Sequence, residues 1–298
     1  GGYDLVLDFQ GLFRSGLMSW LSGARVGVGF SRAREGAPLF YTDPVALEGM
    51  GSVPWRLGEI HAVDRNLALV GYLGADSSGL PYHFPDVPSD RNTIRELLQR
   101  AQVGEQDYLI GVAPWSRATL KCWPLDRFVE LCRLLVSEGN ICPVLIGAGS
   151  DSNYTGPFRD FERRGLLNLV GKITLRQLPV LLRQVRALVG NDSAPLHLAA
   201  GLGIPVVGLY GPTQPKATGP YPLGNHIILQ SPVPCTPCGQ QTCRQAHYQE
   251  CLQSIEIREV FEKILFALPS SPLHKEPLPD VFVRQKDHSS VQVSVKRS

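Results

Sequence analysis

Residues 190–200 read GNDSAPLHLAA and residues 204–215 continue IPVVGLYGPTQP, and this stretch decides the fold. An apolar run ends in a polar turn, a helical pattern begins at once, and a second run rich in β-branched residues follows. This order of strand, helix and strand is typical of an α/β protein with a parallel sheet. Ser193 stands where it can cap the helix, and Pro195 lies in the first turn, where a missing N–H costs nothing.

The start of this helix is the first candidate binding site. Its unpaired N–H groups and the positive end of its dipole face the carboxyl edge of the sheet, which suits a diphosphate. The backbone groups concerned belong to Ser193, Ala194, Pro195 and Leu196. His197 can reach the same diphosphate, and Asp192 can accept hydrogen bonds from sugar hydroxyls. The alternative is a capped crossover helix with a satisfied histidine and a turn aspartate.

The same alternation of strands and helices extends over nearly the whole chain of 298 residues, a length that suggests two domains. A polar segment with a glycine near residues 103–106 separates them. We therefore expect a first domain over residues 1–103 and a second over residues 104–268. Residues 269–298 begin with several prolines and continue with polar residues, a composition typical of a disordered tail.

Composition excludes several classes of protein. Hydrophobic residues make up 43% of the chain, and no apolar run approaches the roughly 20 residues that a membrane span needs. The net charge of +2 arises in the tail, so no basic surface argues for nucleic acid. The seven cysteines, with no secretory signal, indicate cytosolic thiols. The sequence thus predicts a soluble, cytoplasmic protein.

Two further turns follow predicted strands at the same edge of the sheet. Lys121 follows the strand at residues 108–113 and can place a positive charge against a leaving diphosphate; the alternative is a solvated loop lysine. The turn at residues 147–152, GAGSDS, resembles a dinucleotide fingerprint, yet it has only two of the three glycines and is weak evidence for NAD.

Several motifs occur in a fixed order along the chain. They are DFQGL at residues 8–12, AREG at 33–36, HAVDR at 61–65, KCWP at 121–124 and DSAPLHLAA at 192–200. Together they resemble the signature of the bacterial lipopolysaccharide heptosyltransferases, over about residues 3–264. One departure is Ala194, which stands where that family usually has glycine and narrows the approach of backbone to phosphate.

The resemblance implies a GT-B fold, in which two Rossmann-like domains face each other across a cleft and the second holds the donor. It implies inverting, metal-independent transfer of heptose from ADP-heptose to a lipid-linked core oligosaccharide at the membrane surface. It gives catalytic roles to Lys121, Asp192 and His197. Asp151 would bind the ribose hydroxyls, Lys172 and Ile173 would line the adenine, and Arg34 would bind a carboxylate or phosphate of the acceptor. His61, Asp64 and Arg65 are interpreted as a structural pair and cap.

The transfer also needs a general base, which in the resembled family is an Asp in a glycine-containing loop after the first strand. The chain starts with Gly1 and enters at a later strand, so we expect the first domain to lack its opening strands. Asp8 matches a different family position and does not replace that base. The chain as given is therefore predicted to be inactive or nearly so.

Four of the seven cysteines fall within 17 residues, at Cys235, Cys238, Cys243 and Cys251. Four thiolates, or three with His247, can close a structural zinc site, but only the first pair has the usual spacing, and a thiol-rich loop is the alternative. Four other functions stay open beside a heptosyltransferase. They are a non-catalytic ADP-sugar binder, a transferase with another nucleotide sugar, an NAD oxidoreductase and a zinc-stabilised interaction module.

Overall fold

A computed structural model describes residues 2–47, 60–76, 84, 86–104, 107–222 and 226–268. The predicted tail and residues 48–59 lie outside these residues. The chain divides into two compact units between residues 81 and 82. None of the helices among the described residues is long and apolar enough to cross a membrane.

The first unit contains a small parallel sheet. Its strands β1 (Leu5–Asp8), β2 (Val26–Phe30) and β3 (Asp43–Val45) pair in that order, and the helices are α1 (Phe13–Leu21) and α2 (Ala62–Tyr72). Helix α1 buries its small residues Gly16 and Ser19. A Cβ at Gly16 would lie 3.0 Å from the Ala37 carbonyl oxygen, so glycine allows the following segment to approach the helix.

The second unit contains a six-stranded parallel sheet. The strands are β4 (Tyr108–Ala113), β5 (Ile141–Leu145), β6 (Leu167–Asn168), β7 (Ala187–Asn191), β8 (Val206–Tyr210) and β9 (Ile227–Gln230). Their order is β6-β5-β4-β7-β8-β9, the doubly wound arrangement in which the chain changes direction between β4 and β7. The predicted α/β class with parallel sheets is confirmed. In such sheets ligands bind at the carboxyl ends of the strands, at this change of direction.

Helices cover both faces of that sheet. They are α3 (Pro88–Arg100), α4 (Leu125–Ser137), α5 (Arg159–Glu162), α6 (Leu178–Leu182), α7 (Ala194–Gly201), α8 (Pro215–Thr218), α9 (Glu250–Gln253) and α10 (Ile257–Ala267). Alternate residues of β4 point to opposite faces, so Ile110 and Val112 pack with α4 and α10, whereas Leu109 and Ala113 pack with α3, α6 and α7. Both faces are apolar, as expected for a parallel sheet.

Helix α3 belongs to the second unit, although the sequence predicts a boundary after it, at residue 103. Ile94 of this helix is 2% exposed and lies in the core with α6. The buried carboxylate of Asp90 pairs with Arg176 at 2.8 Å. These contacts join residues more than 80 positions apart, which local composition does not reveal.

Candidate active site

The centre of the site is Asp192, directly after β7 at the change of direction in the sheet. Its side chain is 7% exposed. Lys121 Nζ lies 2.6 Å from Asp192 Oδ2, and His197 Nε2 lies 3.1 Å from Asp192 Oδ1. The Tyr210 hydroxyl lies 3.5 Å from the same Oδ1 atom. The three residues predicted from sequence to act in the reaction therefore form one contiguous group.

Asp192 is an ionised carboxylate at neutral pH. Burial alone would raise its pKa, but the hydrogen bonds from His197 and Lys121 outweigh burial and lower the pKa to about 2. The carboxylate therefore balances the positive charge of Lys121 in the ligand-free protein. Both carboxylate oxygens already have partners, so a sugar hydroxyl would have to replace or share one of them.

The N-terminus of α7 offers fewer donors than the sequence predicts. Ser193 occupies the N-cap position, but its hydroxyl makes no capping bond and is buried without a partner among the described residues. The Leu196 N–H donates to the Ser193 carbonyl at 3.1 Å, and Pro195 has no N–H. Only Ser193 and Ala194 can thus present a backbone N–H at this end, because the first turn is tight and contains proline.

The segment between β4 and α4 brings Lys121 to Asp192. A short 3₁₀ turn, Thr119–Lys121, carries the lysine. Ser116 in the same segment donates its hydroxyl to the Asp192 carbonyl at 3.1 Å. No sequence signal marks Ser116 or Tyr210, because a lone serine or a buried strand tyrosine has no motif of its own.

The glycine-rich turn after β5 packs against the indole ring of Trp115. A Cβ at Gly147 would lie 2.7 Å from Trp115, so the space beside this glycine is filled by Trp115. Asp151 Oδ2 accepts a hydrogen bond from the Ala148 N–H at 2.7 Å and closes the turn. Gly147 therefore serves packing here, which argues against a dinucleotide phosphate at this glycine.

Lys172 and Ile173 follow β6, next to that turn. The Gly171 N–H bonds to the Gly147 carbonyl at 3.1 Å, so the two turns are joined. Lys172 Nζ donates to the Asn168 carbonyl at 2.8 Å, and Ile173 packs against the sheet core. Asp151, Lys172 and Ile173 thus share one region of the edge, and their contact with a nucleotide stays a prediction.

In the first unit, Asp8 is a saturated carboxylate. It is 5% exposed. Its four donors are the N–H groups of Gln10 and Gly11 and the hydroxyls of Ser15 and Tyr41, at 2.7–3.0 Å. A Cβ at Gly29 would lie 2.4 Å from the Tyr41 ring, so glycine is required for this packing. Asp8 holds together the loop that precedes α1.

Arg34 is exposed, and its backbone is tied to that same loop through its N–H, 3.0 Å from the Gly11 carbonyl. The pKa of Arg65 is lowered to about 10 by burial and then by the positive charge of Arg34. The charges of the two guanidinium groups thus act on each other. His61 accepts a hydrogen bond from the Val63 N–H and caps α2, so its predicted structural role is confirmed.

The four clustered cysteines line one cavity beside the Lys121 turn, together with Leu120 and Pro212. Within the described part of the chain, no three His, Cys, Asp or Glu side chains come together in a way that could hold a metal ion. Instead the loop contacts its neighbours: the Gln249 side-chain amide donates to the Thr119 carbonyl at 2.9 Å. The loop supports the turn that carries Lys121.

Comparisons with known proteins identify the family of the chain. The model of glycosyltransferase family 9 (heptosyltransferase) matches residues 1–249. Lipopolysaccharide heptosyltransferase 1 of Pseudomonas aeruginosa is 30% identical over 246 residues, which are 81% of this chain and 63% of that protein. Lipopolysaccharide heptosyltransferase 3 of Escherichia coli is 26% identical over 71% of this chain and 60% of its own length. The chain thus spans less than two thirds of these relatives.

Two solved structures have the same fold. The glycosyl transferase family 9 protein of Veillonella parvula has a TM-score of 0.70 at 22% identity, covering 90% of this chain and 74% of that one. The E. coli heptosyltransferase WaaC with ADP has a TM-score of 0.61 at 22% identity, covering 90% and 73%. The similarity extends over nearly all of the present chain.

Proposed function

The chain belongs to glycosyltransferase family 9, the heptosyltransferase family, and from this premise we propose that it transfers heptose from ADP-heptose to the inner core of lipopolysaccharide. The observation that carries the proposal is the group of Lys121, His197 and Asp192 at the carboxyl edge of a doubly wound sheet. It combines two side chains suited to a diphosphate with a carboxylate suited to sugar hydroxyls.

In the proposed reaction a hydroxyl of the acceptor sugar attacks the anomeric carbon of the donor with inversion and gives up its proton to water. The bond from that carbon to the diphosphate oxygen breaks, and the diphosphate leaves with the electron pair. Lys121, His197 and the N–H groups of Ser193 and Ala194 stabilise the growing negative charge on the diphosphate. These groups supply the positive charge that the leaving group needs, so we propose a metal-independent transfer.

Donor binding would rearrange one ion pair. Lys121 Nζ is bonded to Asp192 Oδ2 at 2.6 Å. When the diphosphate becomes the partner of Lys121, Asp192 Oδ2 is released and can accept a hydrogen bond from a heptose hydroxyl. The carboxylate would thus contact sugar only once the diphosphate is in place.

The acceptor would bind to the first unit. The positive charge of the exposed Arg34 acts on Arg65. Two guanidinium groups that interact in this way favour an anion, such as the carboxylate or phosphate of a lipid-linked core sugar. We place the reaction at the cytoplasmic face of the inner membrane, where such an acceptor is exposed.

Calorimetric titration with ADP, UDP and NAD tests the donor site. We expect ADP to bind at least about tenfold more tightly than UDP or NAD, and Lys121→Met to weaken ADP by a similar factor. Lys263→Met, at an exposed position of α10, is the control and should leave the affinity for ADP unchanged. Equal affinity for the three ligands, or no ADP binding, would contradict the proposal.

Transfer itself separates an enzyme from a non-catalytic ADP-sugar binder. The assay would follow heptose from ADP-heptose to heptose-free core lipopolysaccharide by mass spectrometry, with the anomeric configuration of the product read by NMR. The same assay in excess EDTA should give the same rate. Binding of ADP-heptose without transfer to the acceptor would favour the binder.

A further inference from the structure

Asn191, the last residue of β7, is fully buried and bonded on both sides of its amide. Its Oδ1 atom accepts a hydrogen bond from the Trp123 N–H at 2.9 Å, and its Nδ2 atom donates to the Pro114 carbonyl at 2.6 Å. Pro114 directly follows β4, and Trp123 lies two residues after Lys121. One side-chain amide therefore fixes both ends of residues 115–122.

Residues 115–122, which follow β4, carry two side chains that bond to Asp192. Ser116 bonds the Asp192 carbonyl, and Lys121 bonds its carboxylate. Because Asn191 is covalently next to Asp192, the same residue sets the position of both partners in the ion pair. Trp123, its anchor, is 1% exposed and donates its indole N–H to the Ile255 carbonyl at 3.2 Å.

The amide satisfies the two contacts with two different atoms. Pro114 offers an acceptor and Trp123 offers a donor, so the side chain must donate on one side and accept on the other. An aspartate would keep the bond from Trp123 but place a second oxygen against the Pro114 carbonyl. An alanine would leave both buried backbone groups without this partner.

We infer that Asn191 is a positioning residue of the diphosphate site, which acts by holding residues 115–122, and with them Lys121, at the carboxyl edge of the sheet. The inference rests on the proposed function for the identity of the ligand. The position of Lys121 itself is measurable without any ligand.

The first test is amine labelling of the full chain with limiting acetic anhydride, quantified by mass spectrometry. In Asn191→Asp and Asn191→Ala we expect labelling of Lys121, relative to the exposed Lys216, to rise at least about threefold, because the ammonium loses its carboxylate partner. Leu135→Ala, a core truncation in α4 away from the site, controls for general loosening and should leave that ratio unchanged. An unchanged ratio in both Asn191 variants would overturn the inference.

The second test is a double-mutant cycle on ADP affinity. Asn191→Ala should weaken ADP by about tenfold in the native chain and by less than about twofold in a Lys121→Met background, because its effect passes through Lys121. Equal losses in the two backgrounds would show a merely structural role and overturn the inference. If the native chain binds no ADP, the proposed function fails, and the labelling result still decides the role of Asn191.

Discussion

Asp192 holds both Lys121 and His197 on one buried carboxylate, and its negative charge sets the sign of its effect on ligand binding. Asp192→Asn removes the charge that competes with a diphosphate for Lys121, which is 30% exposed and can be solvated instead. We expect ADP to bind as tightly as in the native chain or up to about tenfold more tightly. The added affinity of ADP-heptose over ADP should be lost.

Calorimetry with both ligands measures this difference. Asp126→Asn, a change of the same chemistry at an exposed residue in the first turn of α4, is the control and should leave both affinities unchanged. A large loss of ADP affinity in Asp192→Asn would mean that the carboxylate organises the site rather than competing for Lys121.

Acid stability also depends on Asp192. Its pKa of about 2 in the folded protein lies below its ordinary value of 3.8, so the ionised carboxylate stabilises the fold above about pH 4. This contribution, about 2 kcal/mol, is lost as the pH falls from 4 towards 2. Urea unfolding at a series of pH values should show a shallower decline between pH 4 and pH 2 in Asp192→Asn. Parallel declines in the two proteins would contradict the assigned pKa.

The loop before α1 depends on Asp8 in the same way that the donor site depends on Asp192. Asp8→Asn places an amide N–H₂ among four donors, so at least one hydrogen bond is lost and two donors face each other. We expect a loss of about 1–3 kcal/mol in the free energy of unfolding. Asp4→Asn, at an exposed position four residues earlier, should cost almost nothing. Similar losses in the two variants would show that the four bonds add little stability.

Two glycines of the turn after β5 make opposite predictions. Gly147→Ala puts a Cβ 2.7 Å from the Trp115 ring, whereas a Cβ at Gly149 meets nothing within 4 Å. Thermal unfolding should show a loss of about 1–3 kcal/mol for Gly147→Ala and almost none for Gly149→Ala. A larger loss of stability for Gly149→Ala than for Gly147→Ala would favour the other interpretation of this turn, a phosphate-binding fingerprint in which the ligand approaches Gly149.

Elements with strong local signals could be predicted from the sequence. Strand β4 occupies the predicted residues, Tyr108–Ala113, because a short apolar run is typical of a strand that is buried on both faces. The apolar residues of α4 repeat with the period of a helix. The unit to which α3 belongs depends instead on the distant contacts of Asp90 and Ile94. Periodicity carries no information on such contacts.

The candidate site also has features that the sequence predicts and features that depend on distant contacts. Lys121, Asp192 and His197 lie together as the motifs predict, because the ends of parallel strands meet at one edge. Their pairing with each other could not be predicted, since the motif implies contacts with ligands rather than contacts among its own side chains. No motif marks Asn191, for a related reason: its two partners lie 68 and 77 positions away in the sequence.

For the whole chain, the saturation of Asp8 predicts that this carboxylate is not the general base of the transfer. It is buried in the first unit, accepts four hydrogen bonds and has no remaining capacity to take a proton from an acceptor hydroxyl. Since a general base contributes about 10²–10⁴-fold, Asp8→Asn should transfer heptose within about tenfold of the native rate, counted per folded molecule. Both proteins would be assayed below their unfolding transitions with the same donor and acceptor, and Lys121→Met would give the background rate. A loss of about 100-fold or more in folded Asp8→Asn would instead identify Asp8 as the base.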